Sequence, residues 1–117
     1  MKEKLDKKSR LSFNNVKIFE QFQIVVIESH NENNSFTDIY FQENRFTQTP
    51  KSLKEWEKIL PSNLFVRINR WTIINLSFVK HIMKIKSNKY VVIMSHVEKE
   101  YNMSKSFIHN LNKQLDY

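Results

Sequence analysis

None of the 117 residues is glycine. Every backbone position that requires a positive φ must therefore be filled by a residue carrying a Cβ. Asparagine is the expected substitute, because its short amide can bond the local backbone and tolerate the left-handed region. Hairpin connections are expected where asparagines sit between apolar or alternating runs, at Asn31–Asn34 and at Ser87-Asn88. The same absence excludes a glycine-rich phosphate-binding loop.

Hydrophobic spacing between these turns predicts mostly strands. Phe22–Glu28 is a continuous apolar run rich in β-branched residues, and Ser35–Gln42 carries Phe36, Ile39 and Phe41; both read as strands. Arg45–Thr49 reads as a short third strand, stopped by Pro50, which lacks the amide hydrogen of a central ladder. Ser52 followed three residues later by Glu55 is a capping box, and Leu53, Trp56, Ile59 and Leu60 recur at helical spacing until Pro61. Leu64–Ile68 returns to strand, Ile73-Ile74-Asn75 reads as a turn, and a helical turn follows Asn75. Strands are then expected near Lys80–Lys86, Tyr90–Met94 and Lys99–Met103. A final helix over Ser104–Leu115 places Phe107, Ile108, Leu111 and Leu115 on one side, with Ser104 or Ser106 as its cap. One helix between strands is too few for a parallel α/β fold. The expected class is mainly β: short antiparallel strands, one short central helix and a C-terminal helix.

The length suits a single domain, with residues 1–15 as a basic arm lacking periodicity and residues 16–117 as the folded unit. Charge is distributed unevenly. Residues 1–17 carry six basic and two acidic side chains, residues 18–79 six and seven, and residues 80–117 seven and three, for a net +7. Positive ends around a nearly neutral middle favour a polyanionic partner, with nucleic acid and an anionic membrane surface as the two candidates by charge alone. The absence of cysteine excludes disulfides, thiolate metal sites and a cysteine nucleophile. No apolar run approaches the roughly 18 residues of a membrane span, and the charged N-terminus lacks a secretory apolar stretch. A cytoplasmic protein is expected.

The stretch Leu64 to Ile82 carries the most specific signal. Leu60-Pro61, Phe65, Arg67, Arg70 and Asn75 stand in the order and spacing in which the LytTR family of DNA-binding domains has Leu-Pro, Phe and Arg-x-His-Arg-Ser-x-x-Val-Asn. Three further segments match in order. Ile24–Glu28 resembles that family's Ile-x-Tyr-Ile-Glu strand, Ser52-Leu53 its Ser-Leu helix start, and Met103–Phe107 its Val-Ser-Arg-x-Tyr closing motif. The chain departs from the pattern at Asn69, where His is common, and at Trp71, where a small hydroxyl residue is common. The resemblance spans about residues 16–115.

It implies an elongated β-rich domain that lies along duplex DNA and sends loops, not a recognition helix, into successive major grooves. By alignment, base contacts fall to Arg70, Lys105 and Asn34. A guanidinium can bond guanine O6 and N7 through two donors, lysine offers a point charge, and asparagine can pair with adenine N6 and N7. Phosphate contacts fall to Arg67, Asn69, Ser104, Ser106 and Lys89, which fix register without reading sequence. Partners implied are promoter DNA with direct repeats, a second copy of the chain on that DNA, and a regulatory protein. No small-molecule substrate, cofactor or metal is expected.

Other readings are weaker. Phe65, Trp71, Ile73 and Ile74 are expected in the core and not as base-stacking residues, and no RNP-like aromatic motif accompanies them. His96, Glu98 and Glu100 alternate as on an exposed strand face, which also fits a metal, but such alternation is ordinary for strands. No nucleophile motif occurs, so catalysis is not expected. The alternative to DNA reading is a non-catalytic basic module for a protein partner or an anionic membrane surface, using the amphipathic C-terminal segment.

Overall fold

The computed structural model describes residues 18–29 and 35–109. Among the described residues eight strands run β1 (Ile24–Ser29), β2 (Thr37–Phe41), β3 (Phe46–Thr49), β4 (Phe65–Asn69), β5 (Thr72–Asn75), β6 (Val79–Lys86), β7 (Lys89–Met94) and β8 (Glu100–Met103). Helix α1 (Leu53–Ile59) lies between β3 and β4, and a C-terminal helix begins at residue 105. The strands form a five-stranded sheet in the order β3-β2-β1-β5-β4 and a three-stranded sheet β6-β7-β8, and every pairing is antiparallel. The mainly β class is thus as expected, and the extents of 55 × 31 × 26 Å give an elongated body.

The larger sheet is buried on both faces, which explains why β1 is a continuous apolar run. On one face Ile24, Ile27, Ile39, Phe41, Phe65 and Ile73 pack with Leu53, Trp56 and Leu60 from and beside α1. On the other, Val26, Val66, Ile68 and Ile74 meet Val92, Met94, Tyr101 and Met103 of the smaller sheet. A register shift between Ile24 and Val26 accompanies the placing of consecutive Val25 and Val26 in the second layer, between Ile24 and Ile27 of the first. The Tyr101 hydroxyl is buried in the second layer. Burial, followed by the charge of Glu28, holds that phenol well above its ordinary pKa.

The capping box is formed as expected. The Ser52 amide donates to Glu55 Oε1 at 2.9 Å, and the Glu55 amide donates to Ser52 Oγ at 3.1 Å. Hydrogen bonds from Ser52 lower the Glu55 carboxyl pKa. The carboxylate's contribution is therefore present at neutral pH and is lost only as pH falls through that lowered value. Ser52→Ala should destabilise the domain by about 1 kcal/mol, seen as a lower urea midpoint with unchanged slope.

Four sequence expectations are corrected. Phe22 belongs to a 3-10 helix, Ile18–Gln23, where its side chain is 60% exposed; β1 starts only at Ile24. Ile73-Ile74-Asn75 is not a turn but most of β5, which pairs with β1 on one side and β4 on the other. Asn75 is fully buried there, its Nδ2 donating to the Ile24 carbonyl at 2.8 Å and its Oδ1 accepting from the Ser77 amide. Among the described residues positive φ falls at Glu43, Asn44 and His96, so asparagine fills only one of the three positions, and Ser87-Asn88 turns without it. His96 and Glu98 lie outside any strand, so they do not share a strand face with Glu100. No group of potential metal ligands occurs among the described residues.

Candidate nucleic-acid interface

The β4–β5 turn carries Arg70 and Trp71, and five side-chain contacts from Arg67 and Asn69 hold it. Arg67, half-buried on β4, donates from Nε to the Asn69 carbonyl at 3.3 Å and from Nη2 to the Arg70 carbonyl at 2.6 Å. Its Nη1 reaches Glu57 of α1 at 2.9 Å, so one guanidinium ties the turn to the helix. Asn69 Oδ1 accepts from the Trp71 amide at 2.7 Å, and its Nδ2 donates to the Asn102 carbonyl of β8. Arg67 and Asn69 therefore both act within the chain, leaving two guanidinium hydrogens and one amide hydrogen outside these bonds.

The start of the C-terminal helix is fastened to the same place. The Ser104 amide donates to the Ile68 carbonyl at 3.0 Å, and the Ser104 carbonyl accepts from the amides of Phe107 and Ile108. The Ser104 and Ser106 hydroxyls lie 3.1 Å apart. A concavity of about 500 Å³ results, lined by Asn69, Arg70, Trp71, Asn102, Ser104 and Phe107. Lys105 and Ser106 are exposed directly beside it, and Lys89 is the exposed first residue of β7, one before Tyr90 of the Tyr90↔Met103 pair.

The fold thus gathers Arg67, Asn69, Arg70, Ser104, Lys105 and Ser106 from β4, its turn and a helix start onto one region, while no contact ties Lys89 to it among the described residues. Asn34 lies outside the described residues. The Arg70 side chain is exposed and lies beside the Trp71 ring, its guanidinium carbon 5.6 Å from the ring centroid.

Two participants escaped the sequence reading. Trp71 is 37% exposed at the turn, whereas Phe65, Ile73 and Ile74 are buried as expected. The period-two pattern of β4 and β5 breaks at the turn, which leaves the indole without a core-facing position. Asn102 sits between buried Tyr101 and Met103, so alternation could have marked it as outward, but its pairing with Asn69 spans 33 residues and no local signal encodes it. A larger open groove of about 860 Å³, with Arg45, Phe46, Lys80, His96 and Lys99 in its walls, contains none of the expected DNA-contacting residues. Size does not identify the site here; convergent donors do.

Asn69→Ala should release both the Trp71 amide and the Asn102 carbonyl. A loss of about 1–2 kcal/mol is expected in chemical denaturation, with increased amide exchange at Trp71.

No helix among the described residues is long and apolar enough to cross a membrane. Comparison with known proteins places the chain among DNA-binding domains. A solved LytTr DNA-binding domain, from a putative methyl-accepting/DNA response regulator of Bacillus cereus, superposes with a TM-score of 0.70 at 22% identity, covering 82% of this chain and 84% of that one. The sensory transduction protein LytR of Staphylococcus epidermidis is 32% identical over 83 residues, which are 71% of this chain but only 32% of that protein. The chain therefore spans about a third of the length of that curated relative. The model of the LytTr DNA-binding domain matches residues 14–116. The chain belongs to the LytTR family of DNA-binding domains.

Proposed function

We propose that this protein is a transcriptional regulator that recognises specific sequences in double-stranded DNA, inserting loop residues into the major groove. The observation that carries this reading is the convergence of Arg70, Ser104 and Lys105, with Asn69 and Ser106, around one concave surface. Arg70 projects from a turn braced by Arg67 and Asn69, so the entropy of ordering the backbone is spent in folding and not on binding. Its fork suits guanine O6 and N7. Lys105 supplies a second base contact, and Asn34 a third from the β1–β2 connection. Ser104, Ser106, Lys89 and the remaining hydrogens of Arg67 and Asn69 serve phosphate oxygens, setting register. Tandem sites, a second copy of the chain on the DNA, a regulatory protein partner and a cytoplasmic location complete the proposal.

The membrane-module alternative has less support. Phe107 and Ile108 of the C-terminal helix pack against the second core layer, which removes them from a membrane-facing stripe.

Fluorescence anisotropy with a duplex selected from a random-sequence pool tests the reading. The selected duplex should bind at least tenfold more tightly than its scrambled counterpart, with log affinity falling by about 0.9 per neutralised phosphate per decade of salt. Equal affinity for both duplexes overturns it.

A further inference from the structure

We infer that Trp71 is a specificity-determining residue: its indole contacts the C5 methyl of a thymine next to the guanine read by Arg70, while its ring face orients the Arg70 guanidinium. The inference rests on the duplex-reading function proposed above.

The backbone of Trp71 is held at both polar groups. Its amide donates to Asn69 Oδ1 at 2.7 Å, and its carbonyl accepts from the Ser29 amide at 2.8 Å. The indole itself stays 37% exposed in the concavity lined by Asn69, Arg70, Asn102, Ser104 and Phe107. A large, stiff aromatic on a clamped stem, ringed by polar donors, loses little entropy when a surface closes on it. An isolated surface tryptophan would need no explanation. This one stands beside the exposed arginine, which lies 5.6 Å from its ring centroid.

The chemistry of the groove selects the ligand. Base edges in the major groove present hydrogen-bonding groups at every pair but only one apolar group, the thymine methyl. Consecutive Cα atoms are about 3.8 Å apart and consecutive bases about 3.4 Å, so adjacent residues at a turn suit adjacent base pairs. The cationic fork then takes guanine while the indole covers the neighbouring methyl. A phosphate contact through the indole N–H would be blind to that methyl, and stacking on an extruded base would require unpairing the duplex.

The test uses the selected duplex with each thymine replaced in turn by deoxyuridine, which removes only the methyl, and each guanine by 7-deazaguanine, which removes only the N7 acceptor. Wild-type protein should lose about fourfold in affinity at one thymine, the factor carried by burying one methyl group. That thymine should adjoin the guanine whose 7-deaza substitution weakens wild type but not Arg70→Ala. Trp71→Ala should bind the methylated and unmethylated duplexes equally, and Trp71→Phe should retain part of the difference. A flat deoxyuridine scan with the wild-type protein overturns the inference without any variant, as does undiminished methyl sensitivity in Trp71→Ala or Trp71→Phe. If wild type does not distinguish selected from scrambled duplex, the failure is that of duplex reading itself. Retained sequence preference with a flat scan is the failure of this inference alone.

Discussion

Trp56→Ala is expected to lower the unfolding free energy by about 3–5 kcal/mol, a third or more of what a domain of this size commands. The indole is fully buried at the centre of the layer between α1 and the five-stranded sheet, in contact with a core that includes Ile24, Ile27, Ile39 and Leu53. It also belongs to a buried polar chain. Trp56 Nε1 donates to Thr37 Oγ1 at 2.9 Å, Thr37 Oγ1 donates to the Lys51 carbonyl at 2.9 Å, and the Thr49 hydroxyl lies 3.1 Å from Thr37 Oγ1. With its single hydrogen on the Lys51 carbonyl, Thr37 Oγ1 must accept from both Trp56 and Thr49. This chain stitches α1, β2, β3 and the segment leading into α1. Alanine would leave both a cavity and an unfilled acceptor. Trp56→Phe separates the two effects: it keeps most of the volume, loses the donor, and should cost about 1–2 kcal/mol. Urea denaturation measures both. A loss below about 1 kcal/mol for alanine would mean that the helix layer is not integral to the fold.

Arg70→Ala should have the opposite profile, leaving stability intact and weakening recognition. The side chain is exposed beside the Trp71 ring, while the backbone carbonyl that Arg67 holds is present in any residue. Its thermal midpoint should therefore match wild type. Binding should lose about 1–3 kcal/mol of discrimination between selected and scrambled duplex, roughly 5- to 150-fold. The salt slope should stay unchanged, because a base-contacting guanidinium releases no phosphate counterion. Lys89→Ala is the contrast: it should weaken binding to all duplexes alike and flatten the slope by about one unit. Should Arg70→Ala weaken both duplexes equally and flatten the slope, Arg70 is a phosphate contact and base reading lies elsewhere.

How much of this was legible in the residues depends on the range of the interaction that decides each feature. The capping box at Ser52 and Glu55 lies within one turn of chain, so spacing alone identified it. The apolar runs of β1 and β7 were legible for the same reason, whereas the place of Arg70 came from the resemblance. Short motifs in the right order also pointed to the family, because the turn geometry that presents Arg70 requires particular residues at particular offsets.

The rest was settled by contacts across the chain. The four residues of β5 carry too weak a local preference to outweigh the turn signal of Asn75, and they become a strand because β1 and β4 supply ladders on both sides. Asn75 itself, read as a turn former, is buried because the Ile24 carbonyl 51 residues away needs a donor. Glu43 and His96 take left-handed backbone where the connections demand it, there being no glycine to do so. The sequence by itself determined the class, the helix start and the residues that bear charge. Tertiary structure alone decided that Asn69 bridges to Asn102, that Arg67, expected as a phosphate contact, braces the turn beside it, and that Trp71 faces outward. Each of those outcomes depends on groups brought together by sheet pairing, whose partners no local pattern can name.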